Sequence, residues 1–276
     1  MDTQIVAVFC LVDDILKAMR HREDEQCKMS DAEVMTTAII AVLYFGGNYA
    51  QACRLLTSQG YVPRMLSKSR FSRRLHRIKP FFLTLFSVLG EHWKSLNEES
   101  IYALDTFPIP ACDNYRIPRA RLYQEEQYRG YIASKKRYFY GLKLHLIVTH
   151  TGQPVELMLS PGGFFDGTGL YAFDFDLPEG SLLVGDKAYN NYAIEDMLKV
   201  AGIHLIPFRK KNSKRPVPPW VHYLQFHYRK MIETTSSLLS GLLPKKIHAT
   251  SALGFELKII LFVLACSFNY LFKVAT

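Results

Sequence analysis

Ile101-Tyr-Ala-Leu-Asp-Thr-Phe-Pro-Ile-Pro110 is a short, largely apolar stretch with one carboxylate, Asp105, near the end of its apolar run. It reads as a β-strand, and an aspartate after a strand is ordinarily a turn residue. A second stretch repeats the arrangement: Leu182-Leu-Val-Gly-Asp186 is an apolar strand that ends on a single acid. Both strands are too apolar to lie anywhere but in a sheet interior. If they are parallel neighbours, Asp105 and Asp186 reach the same sheet edge, where sites of open α/β sheets lie.

A third acid, Glu233, falls in a helix expected over residues 221–243. Met231, Ile232, Thr235, Leu238, Leu239, Leu242 and Leu243 form its apolar side. Arg229, Lys230, Glu233, Ser236, Ser237 and Ser240 form the polar side. Metal-assisted phosphoryl transfer requires hard oxygen ligands, with several carboxylates converging from different elements. Each acid taken singly has a plainer reading; Glu233 four residues after Arg229 is also an ordinary helical ion pair worth about 0.3–0.5 kcal/mol. Asp113, Asp166, Asp174, Asp176 and Asp196 compete for the same role on composition alone.

Outward from these acids, strands are expected over residues 101–107, 138–149, 155–159, 182–186 and 203–208. Thr151-Gly152 turns a hairpin, and a helix over 191–201 closes at Gly202. A basic, proline-rich loop over 212–220 precedes the Glu233 helix, and a last helix covers about 253–272. A hairpin followed by alternating strand and helix describes an α/β layer with a mixed sheet. Residues 1–98 instead read as helices throughout. Ser30-Asp-Ala-Glu33 is a capping box, Gly46-Gly47 stops the helix it opens, Asn48 starts another, and Pro80 interrupts a basic helix over 70–78.

The 276 residues carry a net charge of +9 and are 49% hydrophobic, which allows a sizeable core and favours a polyanionic partner. The charge is segregated, with no acid in residues 55–90, 127–155 or 197–232. The first gap holds Arg70, Arg73, Arg74 and Arg77 on one helix. The second holds Lys135, Lys136 and Arg137, and the third holds Arg209, Lys210 and Lys211. Such gaps are the footprint of a phosphate-backbone binder, and a basic helix in a helical module suits a DNA groove. Lys187 and Arg229, beside two of the acids, are candidates for the scissile phosphate, and Trp220 and Tyr223 for stacking on an unpaired base. The alternative for these aromatics is that they cap their helix onto the sheet.

The five cysteines are scattered and form no C-x-x-C pair, so neither a zinc site nor a disulfide framework is expected. The start of the chain carries Asp2, Asp13 and Asp14 and no basic n-region, so no signal peptide is expected. The longest uncharged run of the last helix, residues 259–272, is shorter than the roughly 18 residues of a spanning helix, so a buried helix and no membrane partner are expected.

Several stretches together resemble DDE transposases of bacterial insertion sequences, specifically the 982 insertion-sequence family. They are Leu104-Asp-Thr-Phe-Pro108, Cys112-Asp-Asn-Tyr-Arg-Ile117, Tyr128-Arg-Gly-Tyr-Ile-Ala-Ser-Lys-Lys-Arg-Tyr-Phe-Tyr-Gly141, Gly185-Asp-Lys-Ala-Tyr-Asn190, Phe208-Arg-Lys-Lys-Asn-Ser-Lys-Arg215 and Tyr228-Arg-Lys-Met-Ile-Glu-Thr-Thr235. The resemblance implies a ribonuclease H-like catalytic domain over 99–276, with a mixed five-stranded sheet flanked by helices, behind a helical DNA-binding domain over 1–98. It implies Asp105, Asp186 and Glu233 as the triad holding two Mg²⁺ ions, with Mn²⁺ as the alternative. The activity implied is cleavage of double-stranded DNA at transposon ends and joining of the freed 3′-hydroxyl to target DNA. A homodimer on DNA and a cytoplasmic, nucleoid-associated location follow from the same resemblance. A nuclease without strand transfer, and a non-catalytic DNA-binding derivative, are the alternatives. The chain departs from the family pattern at Phe226 and Ser240, where relatives often carry Tyr and Lys, and Gly185 is smaller than expected beside the second Asp.

Overall fold

The computed structural model describes residues 1–209, 213–215, 219–244 and 246–274. The chain divides into two compact units. One comprises Met1–Val88, Leu239–Ala249 and Leu253–Thr276; the other comprises Leu89–Leu238 and Thr250–Ala252. The last helix, read from sequence as part of the catalytic half, therefore groups with the N-terminal helices.

The helical unit contains α1 (Asp2–Ala18), α2 (Asp31–Phe45), α3 (Tyr49–Ser58), α4 (Lys68–Arg77), most of α5 (Lys79–Ser95) and most of α9 (Ala252–Val274). The capping box forms as expected: Ser30 Oγ accepts from the Glu33 N–H at 3.1 Å, and the Ser30 N–H donates to Glu33 Oε2 at 2.7 Å. Gly46 ends α2 at φ 54°, in the left-handed region that favours glycine. Pro80 lies in the first turn of α5, where its missing N–H costs nothing. Helix α9 is long and apolar enough to cross a membrane by length and composition, but 67% of its apolar window is buried inside the protein. Its centre, from Ile259 to Cys266, is buried on every side, as a core helix is.

The second unit is built on a mixed sheet of six strands: β1 (Ile101–Asp113), β2 (Arg129–Ile132), β3 (Arg137–Thr149), β4 (Pro154–Pro161), β5 (Leu182–Gly185) and β6 (His204–Pro207). β1 lies between antiparallel β3 and parallel β5, and β6 runs parallel beside β5. The far edge of β3 pairs β4 along residues 142–148 and β2 along 137–140, both antiparallel. The sequence reading gave five strands and missed β2. That strand is four residues long and includes Gly130, where a Cβ would come within 2.5 Å of the Gly162 carbonyl oxygen and the Phe139 ring. Helices α7 (Tyr192–Val200) and α8 (Pro219–Leu242) flank the sheet; the unit also includes the short α6 (Asp166–Gly169). Tyr102, Leu104, Phe139, Leu144, Leu146, Leu183 and Ile194 fill the unit's core.

Candidate active site

In the register of parallel β1 and β5, Leu104 stands beside Gly185. The next residue of each chain is the acid, so Asp105 and Asp186 emerge together where β5 ends. One expectation changes: Asp105 does not end its strand. β1 runs eight residues further, to Asp113, paired with β3 alone. Past Leu104 its other edge has no strand partner among the described residues, which is where Pro108 and Pro110, lacking an N–H, are tolerated.

The two carboxylates are held alike. Asp105 Oδ1 accepts from the Thr106 backbone N–H at 2.8 Å, and Asp186 Oδ1 accepts from the Lys187 backbone N–H at 2.7 Å. Glu233 arrives on α8, whose buried side is fixed at three points. The Gln225 amide donates to the Pro207 carbonyl at 3.0 Å, and the Tyr228 hydroxyl donates to the Glu99 carboxylate at 3.1 Å. The Thr235 hydroxyl donates to the Gly152 carbonyl at 2.8 Å. An open cleft is lined by Ala103, Asp105, Val184, Gly185, Asp186, Phe208 and Glu233. The structure thus brings the three sequence-selected acids to one place. Among the competitors, Asp113 pairs with Arg137, Asp166 with Lys143, Asp176 with Lys94 and Asp196 with Arg215; none of these four lines the cleft.

Behind the cleft lies a buried polar chain that the sequence reading missed. The Tyr189 hydroxyl is hydrogen-bonded to Thr106 Oγ1. Thr106 Oγ1 also meets His145 Nδ1 at 2.9 Å, and His145 Nε2 meets Ser160 Oγ at 2.8 Å. Burial pushes the His145 pKa down to about 4; Asp166 opposes this and Lys143 adds to it, so the ring is neutral at pH 7. Burial also pushes the Tyr189 hydroxyl well above the usual tyrosine range, the Thr106 bond offsetting part of this. The size of Gly185 now has a reason: a Cβ there would lie 3.0 Å from the Tyr189 ring. The available sequence signal was position alone, since Thr106 follows Asp105 directly and Tyr189 lies three residues after Asp186.

A family model described as Transposase DDE domain matches residues 95–247, more than half of the chain and all three acids. The chain belongs to the DDE transposase family. No curated protein matches this transposase. Among solved structures it is similar to the cryo-EM structure of the piggyBac transposase synaptic complex with hairpin DNA. That likeness is distant: 11% identity and a TM-score of 0.46, covering 100% of this chain and 73% of that one.

The basic residues selected in the sequence of this transposase divide. Arg70, Arg73 and Arg77 are exposed on α4. Arg74 is not available in the same way. It turns inward, bonding Asp31 at 2.5 Å and Glu23 at 3.0 Å, with Cys27 Sγ at 2.8 Å. Arg209 is likewise occupied, held by Glu195 at 2.5 and 2.8 Å and by Asn190 at 3.0 Å. Lys135, Lys136 and Lys187 are exposed; Arg137 pairs with Asp113 at 3.2 Å while keeping 44% of its side chain exposed. Lys210 and Lys211 lie outside the described residues, as does the side chain of Arg229. Trp220 and Tyr223 do not cap α8 onto the sheet; they are 62% and 73% exposed, and Phe226 is 77% exposed.

Proposed function

We propose that this transposase cleaves the ends of a 982-type insertion sequence and joins the freed 3′-hydroxyl to target DNA, in a ribonuclease H-like domain. The observation that supports the reading most is the convergence of Asp105, Asp186 and Glu233, from two strands and a helix, on one cleft. The strand order adds to it. Apart from the short β2, the sheet reads β4-β3-β1-β5-β6, three antiparallel strands followed by two added in parallel.

The donor set fits hard cations, since all three side chains offer only carboxylate oxygen, and among the described residues neither thiolate nor imidazole lines the cleft. Asp105, Asp186 and Glu233 would hold a pair of Mg²⁺ ions, or Mn²⁺ in their place, which would supply charge neutralisation at the reacting phosphate. The protein's own part is to hold the acids in place. Adjacent backbone N–H groups fix one oxygen of each aspartate, and the three α8 anchors fix the approach of Glu233.

The chemistry balances without an energy source. Water attacks the phosphodiester at the transposon end, forming one P–O bond and breaking the P–O3′ bond, and leaves a 3′-hydroxyl and a 5′-phosphate. That hydroxyl then attacks a target phosphodiester, again exchanging one P–O bond for another. Arg70, Arg73, Arg77, Lys135, Lys136, Arg137 and Lys187, with Arg229, Lys210 and Lys211, carry DNA phosphate contacts in this reading. Residues 1–98 supply the DNA-binding domain, and the acting form is a homodimer on DNA in the nucleoid-bearing cytoplasm.

The test is Mg²⁺-dependent cutting and joining of end-sequence DNA by the wild type against Asp105→Asn, Asp186→Asn and Glu233→Gln. Each substitution is expected to abolish both products. Cutting that survives in any one of them removes that residue from the site. Cutting without joined product from the wild type makes the protein a nuclease.

A further inference from the structure

We infer that the two-stranded end which β2 and β3 form past Asp113, the last residue of β1, over residues 131–138 with its tip at Ala133–Lys136, is a DNA-groove-binding arm of the catalytic unit. This rests on the transposase reading and deepens it, because it gives the contact at Lys135 and Lys136 a shape, an aromatic partner and a place on the duplex.

The ribbon leaves two large rings in solvent. Tyr131 and Tyr138 are cross-strand partners, 50% and 48% exposed, with ring centroids 4.9 Å apart. Adjacent exposed rings form a contiguous patch of the kind that marks an interaction site, where a single exposed ring would not. The Arg129 guanidinium sits 4.4 Å from the centre of the Tyr138 ring and pairs with Glu126 at 2.9 Å, which adds a third planar group to the plate. At the tip, Lys135 and Lys136 are exposed, and no acid occurs anywhere in residues 127–155. Lys136 turns the chain at φ 47°, a left-handed conformation that places two consecutive lysines at the end of the ribbon.

The register places this plate relative to the cleft. Asp105 stands opposite Leu146 of β3, and directly opposed residues share a sheet face. Alternate residues back along β3 then put Tyr140 and Tyr138 on that same face, with Arg129 and Tyr131 beside them on β2. Eight residues of strand separate Leu146 from Tyr138, about 26 Å. That length corresponds to roughly eight base pairs of duplex. A two-stranded ribbon is of a size that the major groove admits, and a basic tip with an aromatic plate complements a phosphate-lined wall. The occupant is therefore duplex DNA beyond the segment held at the cleft, with the lysines on phosphates and the tyrosines against the groove wall.

The test uses the full chain and a fluorescein-labelled linear duplex several helical turns long, titrated across a salt series. Lys135→Gln/Lys136→Gln should lower the slope of log affinity against log salt by about 1.8, the loss of two phosphate contacts. Tyr131→Ser/Tyr138→Ser should weaken binding roughly tenfold with the slope unchanged. Both pairs are exposed, and thermal unfolding checks that each variant folds as the wild type does. If the wild type binds the duplex and both variants match its affinity and slope, the arm is overturned while the transposase reading stands. If ribbon variants change only the self-association of DNA-free protein, the plate is a protein interface and the inference fails. If the wild type binds no duplex at all, the arm and the reading it rests on fall together.

Discussion

The side-chain hydroxyl of Thr106 and the phenolic hydroxyl of Tyr189 are hydrogen-bonded to each other, next to the cleft that Asp105 and Asp186 line. Thr106 is the neighbour of Asp105, and Tyr189 closes the 3₁₀ turn, Lys187–Tyr189, that begins at Asp186. The bond therefore ties together the two chain segments that present the aspartates. It gives a strand that continues past Asp105 and a turn that starts at Asp186 a shared anchor.

Tyr189→Phe removes this tie and leaves the ring that packs on Gly185. Groups that orient metal-holding carboxylates typically change metal affinity by about 10- to 100-fold when lost. The expected outcome is a shift of the Mn²⁺ concentration for half-maximal cutting by at least about tenfold, with the melting temperature little changed. An unaltered Mn²⁺ profile would show that the tie does not set the spacing of the acids.

His145 makes folding pH-dependent. Its folded pKa of about 4 lies below the usual value of 6.5, because burial disfavours the charged ring. The stabilisation is fully present above pH 6.5 and is lost as pH falls toward 4, since the unfolded chain takes up the proton first. The span corresponds to a loss on the order of 3 kcal/mol. Urea unfolding of the wild type should show this drop between pH 6.5 and 4, and His145→Gln, which never charges, should flatten it.

Arg74 and its neighbours on α4 should separate stability from binding. Among the described residues, Arg74 pairs with both Asp31 and Glu23, and His21 meets Asp31 at 2.9 Å. Removing one partner of a buried ion pair costs about 3–5 kcal/mol, because a charge is left behind. Arg74→Met should therefore destabilise the protein by about that much in chemical unfolding. Changing Arg70, Arg73 and Arg77 together to Gln should leave stability within about 0.5 kcal/mol. The same triple change should lower the salt slope of DNA binding by about 2.7. A triple variant that binds with the wild-type slope would take α4 out of the DNA interface.

The contrast between Arg74 and the aspartates shows what a sequence can disclose. Asp105 and Asp186 were legible because each terminates an apolar run, and two such runs fit one sheet edge. Glu233 was legible because helical spacing separates its polar side from its apolar one. Arg74 was not: Phe71, Leu75 and Ile78 mark the buried face of α4, and Arg74 borders it, but the acids that draw it inward lie 43 and 51 residues earlier in the chain. Arg209 misled in the same way, since it follows β6 and its partner Glu195 sits on α7. β2 escaped because four residues around a glycine carry no strand period, and the continuation of β1 escaped because two prolines imitate a stop. The grouping of α9 with the N-terminal helices rests on packing that no local pattern encodes.

Helix α8 presents Trp220, Tyr223 and Phe226 to solvent on the approach to Glu233. Phe226 precedes Glu233 by seven residues, about two helical turns and 10.5 Å, so the two lie nearly on one line of the helix. Rings this exposed contribute little to folding, and their substitution should change stability by no more than about 0.5 kcal/mol. Their value lies in contact with DNA, where an aromatic ring against an unpaired base is worth about 1–3 kcal/mol. Phe226→Ser and Trp220→Ser should each weaken binding of a duplex with an unpaired base at the cut by about 5- to 150-fold. The same substitutions should change binding of the fully paired duplex much less. Equal losses on both substrates would assign the rings to general duplex contact, and no loss on either would leave them without a part in DNA binding.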